Sequence, residues 1–152
     1  MSKIIIGIDP GKSGGIAWKD VEGVVRVEKM PQTPHDCVDF FRECIILGCH
    51  DDISCVLEKV APNSQNGCQG NFRLGQNYGE LRMLLATLGI SFTEVSPAKW
   101  MNAIVPNRPK GGKTPTARKN YIKEKMQNLY PDLKIILATS DALAILTYAM
   151  ET

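Results

Sequence analysis

Apolar residues fall along this chain in short blocks whose period switches between two and about three and a half, the pattern of strands alternating with amphipathic helices. The first block, Ile4-Ile5-Ile6-Gly7-Ile8, is rich in β-branched residues and too short for a helix. Pro10 and Gly11 stop it, which predicts a buried strand ending at Asp9. Gly14-Gly15 returns the chain into Ile16-Ala17-Trp18, and Gly23 separates that segment from Val24-Val25-Arg26-Val27, so an antiparallel three-strand meander is expected. Thr33-Pro34-His35-Asp36 has the form of a helix start. Cys37, Val38, Phe41, Cys44, Ile45 and Gly48 then recur on one face. Ile53 to Leu57 is a further apolar strand, and it runs into Glu58. A loop rich in Asn, Gln and Gly over 61–70 precedes a helix marked by Leu74, Tyr78, Leu81, Leu85 and Leu88 and closed by Gly89. Ile90 to Val95 alternates as a strand, and Ser96-Pro97 opens a short helix through Trp100 and Met101. A glycine- and proline-rich loop from Pro106 to Thr116 leads to a helix capped by Thr114 or Thr116, and the last helix is expected to begin near Thr139 or Ser140.

This order predicts an α/β fold, a mixed five-stranded sheet with helices on both faces, in one domain spanning 1–152; it is the element order of the ribonuclease H fold. The first and fourth strands are then parallel neighbours at the sheet centre, which sets the carboxylates of Asp9 and Glu58 side by side. Two such charges are costly together unless a cation joins them. Asp141, expected in the first turn of the last helix and so favoured by its dipole, supplies a third. Taken singly, Asp9 before Pro-Gly is also an ordinary turn former, and Asp141 an ordinary helix-start acid. Glu58 closes so apolar a strand that it needs a partner, and Lys59 beside it is expected on the opposite face. Oxygen ligands without His or Cys favour Mg²⁺, with Mn²⁺ as a substitute. A pair of such ions about 3.5 to 4 Å apart suits in-line phosphodiester cleavage. A Gly-Ile-Asp start with a glycine hairpin also opens the actin and sugar-kinase fold, which needs two lobes where this length allows one.

Composition and charge narrow the classes further. A chain of 152 residues with 43% hydrophobic and 22% charged residues has the makeup of a globular protein. No apolar stretch approaches the roughly 20 residues of a membrane helix and the N-terminus lacks a signal-peptide pattern, so a cytoplasmic location without membrane contact is expected. Five cysteines, an odd number, are expected as free thiols, and Cys44, Cys49 and His50 lack the paired spacing of a zinc site. The net charge of +2 hides a segregation. From Lys99 to Lys125 there are eight basic residues against the single acid Glu124, while the remainder holds ten basic and fifteen acidic residues. Such a basic segment suits a polyanion contact, the alternative being a solvated helix face.

Several of these pieces together resemble the RuvC family of Holliday junction resolvases. They are Ile6-Gly7-Ile8-Asp9-Pro10-Gly11, Leu57-Glu58, Asn71-Phe72-Arg73-Leu74-Gly75-Gln76, Ser96-Pro97 before the basic loop, and Asp141-Ala142-Leu143-Ala144. The resemblance implies a Mg²⁺-dependent homodimeric endonuclease that nicks opposed strands of a four-way junction, leaving 5′-phosphate and 3′-hydroxyl ends. It implies Asp9, Glu58 and Asp141 as catalytic metal ligands. It places DNA contacts at Arg118 and Lys119, at Lys110 and Lys113 in the loop before them, and at Lys99, although Met101 matches a second family lysine better in register. Two departures stand out. Ala138 occupies the position of a fourth ligand, leaving Thr139, Ser140 or water to complete coordination, and Ala61 replaces a junction-stacking aromatic. Phe72 or Trp100 offers a substitute ring, each also suited to a core role. The helix from Asn71 to Leu88 is the expected dimer face. A viral or phage-type member or a bacterial one fits equally, placing the protein in the bacterial cytoplasm or an infected host cell. Flaps and forks are further possible substrates, and Ala138 motivates an alternative, a junction-binding protein with little or no nuclease activity.

Overall fold

In the computed structural model, which describes residues 3–46, 52–110 and 115–152 apart from the side chains of 45 and 46, five strands form one sheet. They are β1 (Ile4–Asp9), β2 (Gly15–Lys19), β3 (Val25–Lys29), β4 (Ile53–Glu58) and β5 (Ser91–Val95), ordered β3-β2-β1-β4-β5. The first three are antiparallel; β4 pairs parallel with β1, and β5 parallel with β4. The helices are α1 (Pro34–Ile46), α2 (Gly67–Thr87), α3 (Pro97–Ile104), α4 (Pro115–Leu129) and α5 (Leu137–Glu151), with a 3-10 turn at Ser64–Asn66. This is the expected mixed five-stranded α/β sheet. Gly48, Cys49, His50, Lys113 and Thr114 lie outside the described residues. Among the described residues no helix is long and apolar enough to cross a membrane, and Cys37, Cys44, Cys55 and Cys68 are free thiols.

The two-residue period of the strands divides the core between the sheet's faces. Ile4, Ile6 and Ile8 of β1 pack with Ile16, Cys55 and Leu57 against Phe41 of α1 and Leu81 and Leu85 of α2. Ala17 and Val56 have the opposite parity and meet Leu143 and Leu146 of α5, with Trp100 of α3 and Ile122 and Met126 of α4 in the same cluster. Gly7 belongs to this second face. A Cβ there would stand 2.4 Å from the Leu146 nitrogen and 2.9 Å from the Ala142 carbonyl oxygen, so α5 lies directly on the strand's backbone. Asp9 shares the parity of Gly7, and Glu58 that of Val56. Both carboxylates therefore face α5, the helix that carries Asp141.

Three local expectations are corrected. α5 begins at Leu137, ahead of Thr139, because Ile136 is the cap residue. Asp141 is thus the fifth helical residue, past the first turn where the helix dipole acts. α2 begins at Gly67, inside the segment read as loop: Gly67 turns the chain at φ 68°, and the polar residues after it enter the helix. Phe72 on that helix is 68% exposed and has no core role.

Candidate active site

The last registered pair of β1 and β4 is Ile8 with Leu57, so Asp9 and Glu58 follow at adjacent carboxyl ends. Asp9, Glu58 and Asp141 line one cleft of about 670 Å³, together with Arg118 and Lys119 from the first turns of α4. Lys12, Arg73 and Lys59 also line it. Lys59 follows β4 directly, and its N–H donates to the Val95 carbonyl at 2.7 Å. A larger groove of about 800 Å³ between β2, β3 and α1 holds none of the three carboxylates.

Two hydrogen bonds, one buried and one partly buried, hold the cleft's walls. The turn after Asp9 passes through Gly11 at φ 110°, a conformation glycine adopts freely. Its N–H donates to Asn77 Oδ1 of α2 at 2.7 Å, and Asn77 is only 4% exposed. Across the cleft, the Trp100 indole Nε1–H donates to Glu58 Oε2 at 2.6 Å. Trp100 is at once a core residue and the partner that Glu58 needs. Among the described residues Asp141 has no such partner, and its Oδ1 is buried without a hydrogen bond.

The same burial raises the proton affinity of all three carboxyls. Asp9 is pushed well above the usual carboxylate range by burial first, then by Glu58 and Asp141, with Lys119 opposing. Burial lifts Glu58 to about 7; the Trp100 hydrogen bond and Arg118 oppose the rise, and Asp141 adds to it. Burial raises Asp141 as well, against Lys119 and then Arg118. Three desolvated acids that raise one another's pKa form a site of stored electrostatic cost, which a cation relieves.

The donor set suits a hard divalent ion: oxygens alone, one of them buried and unpaired. The side chains are neighbours rather than a closed chelate, since no three His, Cys, Asp or Glu among the described residues are grouped to hold a metal. The Thr139 and Ser140 hydroxyls are both engaged with the backbone at the start of α5. The Thr139 hydroxyl accepts from Ile136 N–H at 3.3 Å and donates to the Ile136 carbonyl at 3.2 Å, while Ser140 Oγ donates to the Leu137 carbonyl at 3.0 Å. Both residues are buried, at 3% and 0% exposure.

Of the other basic candidates, Lys99 and Lys110 are exposed and, like Phe72, are not among the residues lining the cleft. Sequence reading left out Lys12, Arg73 and Asn77. Arg73 and its neighbour Leu74 both line the cleft and lie within the Asn71-to-Gln76 motif, whose helical spacing was the available signal.

The strand order and the helices on both faces give a mixed-sheet α/β protein with a ribonuclease H-like fold. The solved structures it resembles are more particular. Thermus thermophilus RuvC in complex with a Holliday junction substrate superposes with a TM-score of 0.61 at 16% identity, covering 97% of this chain and 92% of that one. A second Thermus thermophilus RuvC structure gives 0.60 at 18% identity, covering 96% and 93%. The chain therefore has the RuvC fold over nearly its whole length. No family model matches the sequence, and no curated protein matches it at a significant level.

Proposed function

We propose that this chain is a metal-dependent endonuclease that resolves four-way DNA junctions. The carrying observation is the convergence of three half-buried carboxylates, from β1, β4 and α5, in one cation-rimmed cleft of a RuvC fold. Asp9, Glu58 and Asp141 would hold Mg²⁺ or Mn²⁺, and the unpaired Asp141 Oδ1 supports that assignment. Such an ion, when bound, supplies a water of lowered pKa and positive charge for the departing oxygen. Asn77 keeps the Asp9 turn in place, and Trp100 keeps Glu58 at the cleft wall. Arg118 and Lys119, which line the cleft and offset the carboxylates' charge, would hold the scissile phosphate, and cleavage would leave 5′-phosphate and 3′-hydroxyl ends. Lys99 and Lys110, which do not line the cleft, would then contact DNA beyond it.

Paired cuts need two clefts, and the outer face of α2 supports a homodimer. Phe72 and Met83 are each 68% exposed there, and a Cβ at Gly75 or Gly79 would meet nothing within 4 Å. A second reading, junction binding without cleavage, is favoured by Ala138 and by the absence of a closed chelate among the described residues. Incubating the protein with junction, flap and linear duplex in Mg²⁺ or Mn²⁺ separates the two. Symmetric nicks near the crossover support resolution, and retention of the junction without nicks supports binding alone.

A further inference from the structure

We infer that Trp100 is a positioning residue of the cleft, its indole N–H determining which oxygen of Glu58 faces a bound cation; this rests on the metal-site reading above. Trp100 sits in α3, whose first turn is set by Pro97 and by the Ser96 hydroxyl accepting Lys99 N–H at 3.3 Å. Its ring is 1% exposed and packs in the cluster that contains Ile104, Ile122 and Met126. An indole offers a single donor and no acceptor, and a buried donor left unmet is costly. The 2.6 Å bond to Glu58 Oε2 satisfies it. Among the described residues this is the only side-chain hydrogen bond made to any of the three carboxylates, so Glu58 alone is held by a rigid partner while Asp9 and Asp141 keep their acceptors open. With one lone pair of Oε2 taken by the indole, Oε1 is the oxygen that keeps both of its lone pairs for an ion, and the bond restrains rotation of the carboxylate. Ile122 and Met126 lie four and eight residues after Arg118 on α4. The helix that brings Arg118 and Lys119 to the cleft thus packs in the cluster that seats the ring.

The chain has two tryptophans, so a ¹H–¹⁵N correlation spectrum carries two indole cross-peaks, from Trp18 and Trp100. In metal-free protein, Glu58→Ala should move the Trp100 peak upfield by more than its linewidth and leave that of Trp18 in place. Mg²⁺ should then shift the Trp100 peak in the parent and not in Glu58→Ala. Trp100→Phe retains an aromatic ring and removes the donor. Its Mg²⁺ affinity by calorimetry should fall about tenfold, the lower end of what loss of a ligand's hydrogen-bond partner costs, and kcat on a junction should fall while KM stays within twofold. A Trp100 peak indifferent to Glu58→Ala overturns the contact, and unchanged Mg²⁺ affinity in Trp100→Phe overturns the positioning role. If Trp100→Phe does not fold, the parent's spectrum decides the positioning role: a Trp100 peak that stays in place while Mg²⁺ binds overturns it, and a shift that Glu58→Ala abolishes supports it. A parent that binds no Mg²⁺ overturns the metal reading and the positioning role with it. A parent that binds Mg²⁺ through this contact but nicks no DNA overturns the nuclease reading alone.

Discussion

Replacing Glu58 with Gln should stabilise the metal-free protein above neutral pH and remove its response to divalent metal. Burial, opposed by the Trp100 hydrogen bond and reinforced by Asp141, carries this carboxyl from 4.5 to about 7. Between those values the folded protein keeps a proton that the unfolded chain has lost. Stability from this group is therefore complete at low pH and is lost as pH rises through about 7. At about 1.4 kcal/mol per pH unit the loss is somewhat above 3 kcal/mol, and water at the cleft mouth reduces it to about 2 kcal/mol. Gln keeps the shape and an oxygen for the indole but carries no charge. In chelator at about pH 8 the variant should exceed the parent by about 2 kcal/mol, roughly 4–8 °C in Tm for a chain of this size. The gap should shrink as pH is lowered towards 5. Saturating Mg²⁺ should reverse the order, because an ion at a hundred times its Kd adds about 2.7 kcal/mol to the parent and little to the variant. Urea and thermal melts across this pH range, with and without Mg²⁺, provide the assay. Equal stabilities at pH 8 in chelator, or an offset independent of pH, would refute the electrostatic account of the cleft.

Gly7→Ala places a methyl carbon 2.4 Å from the backbone of Leu146, and since backbone cannot rotate aside as a side chain does, the cost should be at least about 3 kcal/mol in urea melts. Survivors of that change should bind Mg²⁺ poorly, because Asp141 moves with α5. Asn77→Ala removes the acceptor for Gly11 N–H, which should cost about 1–3 kcal/mol and weaken Mg²⁺ binding in calorimetry without touching a ligand. The double change Arg118→Ala, Lys119→Ala should lower junction affinity and reduce the salt slope by about one to two. Because both cations hold the carboxyls' pKa values down, Mg²⁺ binding should also move to higher pH. An unaltered salt slope would make α4 a solvated face.

Asp9 and Glu58 were legible because each ends an apolar strand, and period-two parity is enough to put two such ends on one face. The basic segment was legible as charge, and its two cleft residues, Arg118 and Lys119, fell at a helix start. Asp141 was found as a residue but misplaced in its helix. Thr139 and Ser140 look like caps in sequence, whereas both hydroxyls bond to backbone inside the first turn of a helix that starts earlier. The partner of Glu58 was invisible for a different reason. Trp100 is 42 residues away, and the pairing of β5 with β4 together with the packing of α3 on α5 brings its indole to Glu58. Asn77 was hidden in the same way, its contact with Gly11 spanning 66 residues. Periodicity reports which face a residue occupies; it carries no information on which distant donor meets it there.

The most direct test of the central claim is a comparison of the parent and Glu58→Gln on one synthetic four-way junction, with binding and cleavage read from the same samples in Mg²⁺. The parent should introduce paired nicks in opposed strands near the crossover, with ends that a ligase can seal. Glu58→Gln should bind the junction at least as well and leave it uncut. Equal cutting by both proteins would contradict the carboxylate site, and a parent that binds without cutting in Mg²⁺ or Mn²⁺ would contradict the nuclease itself.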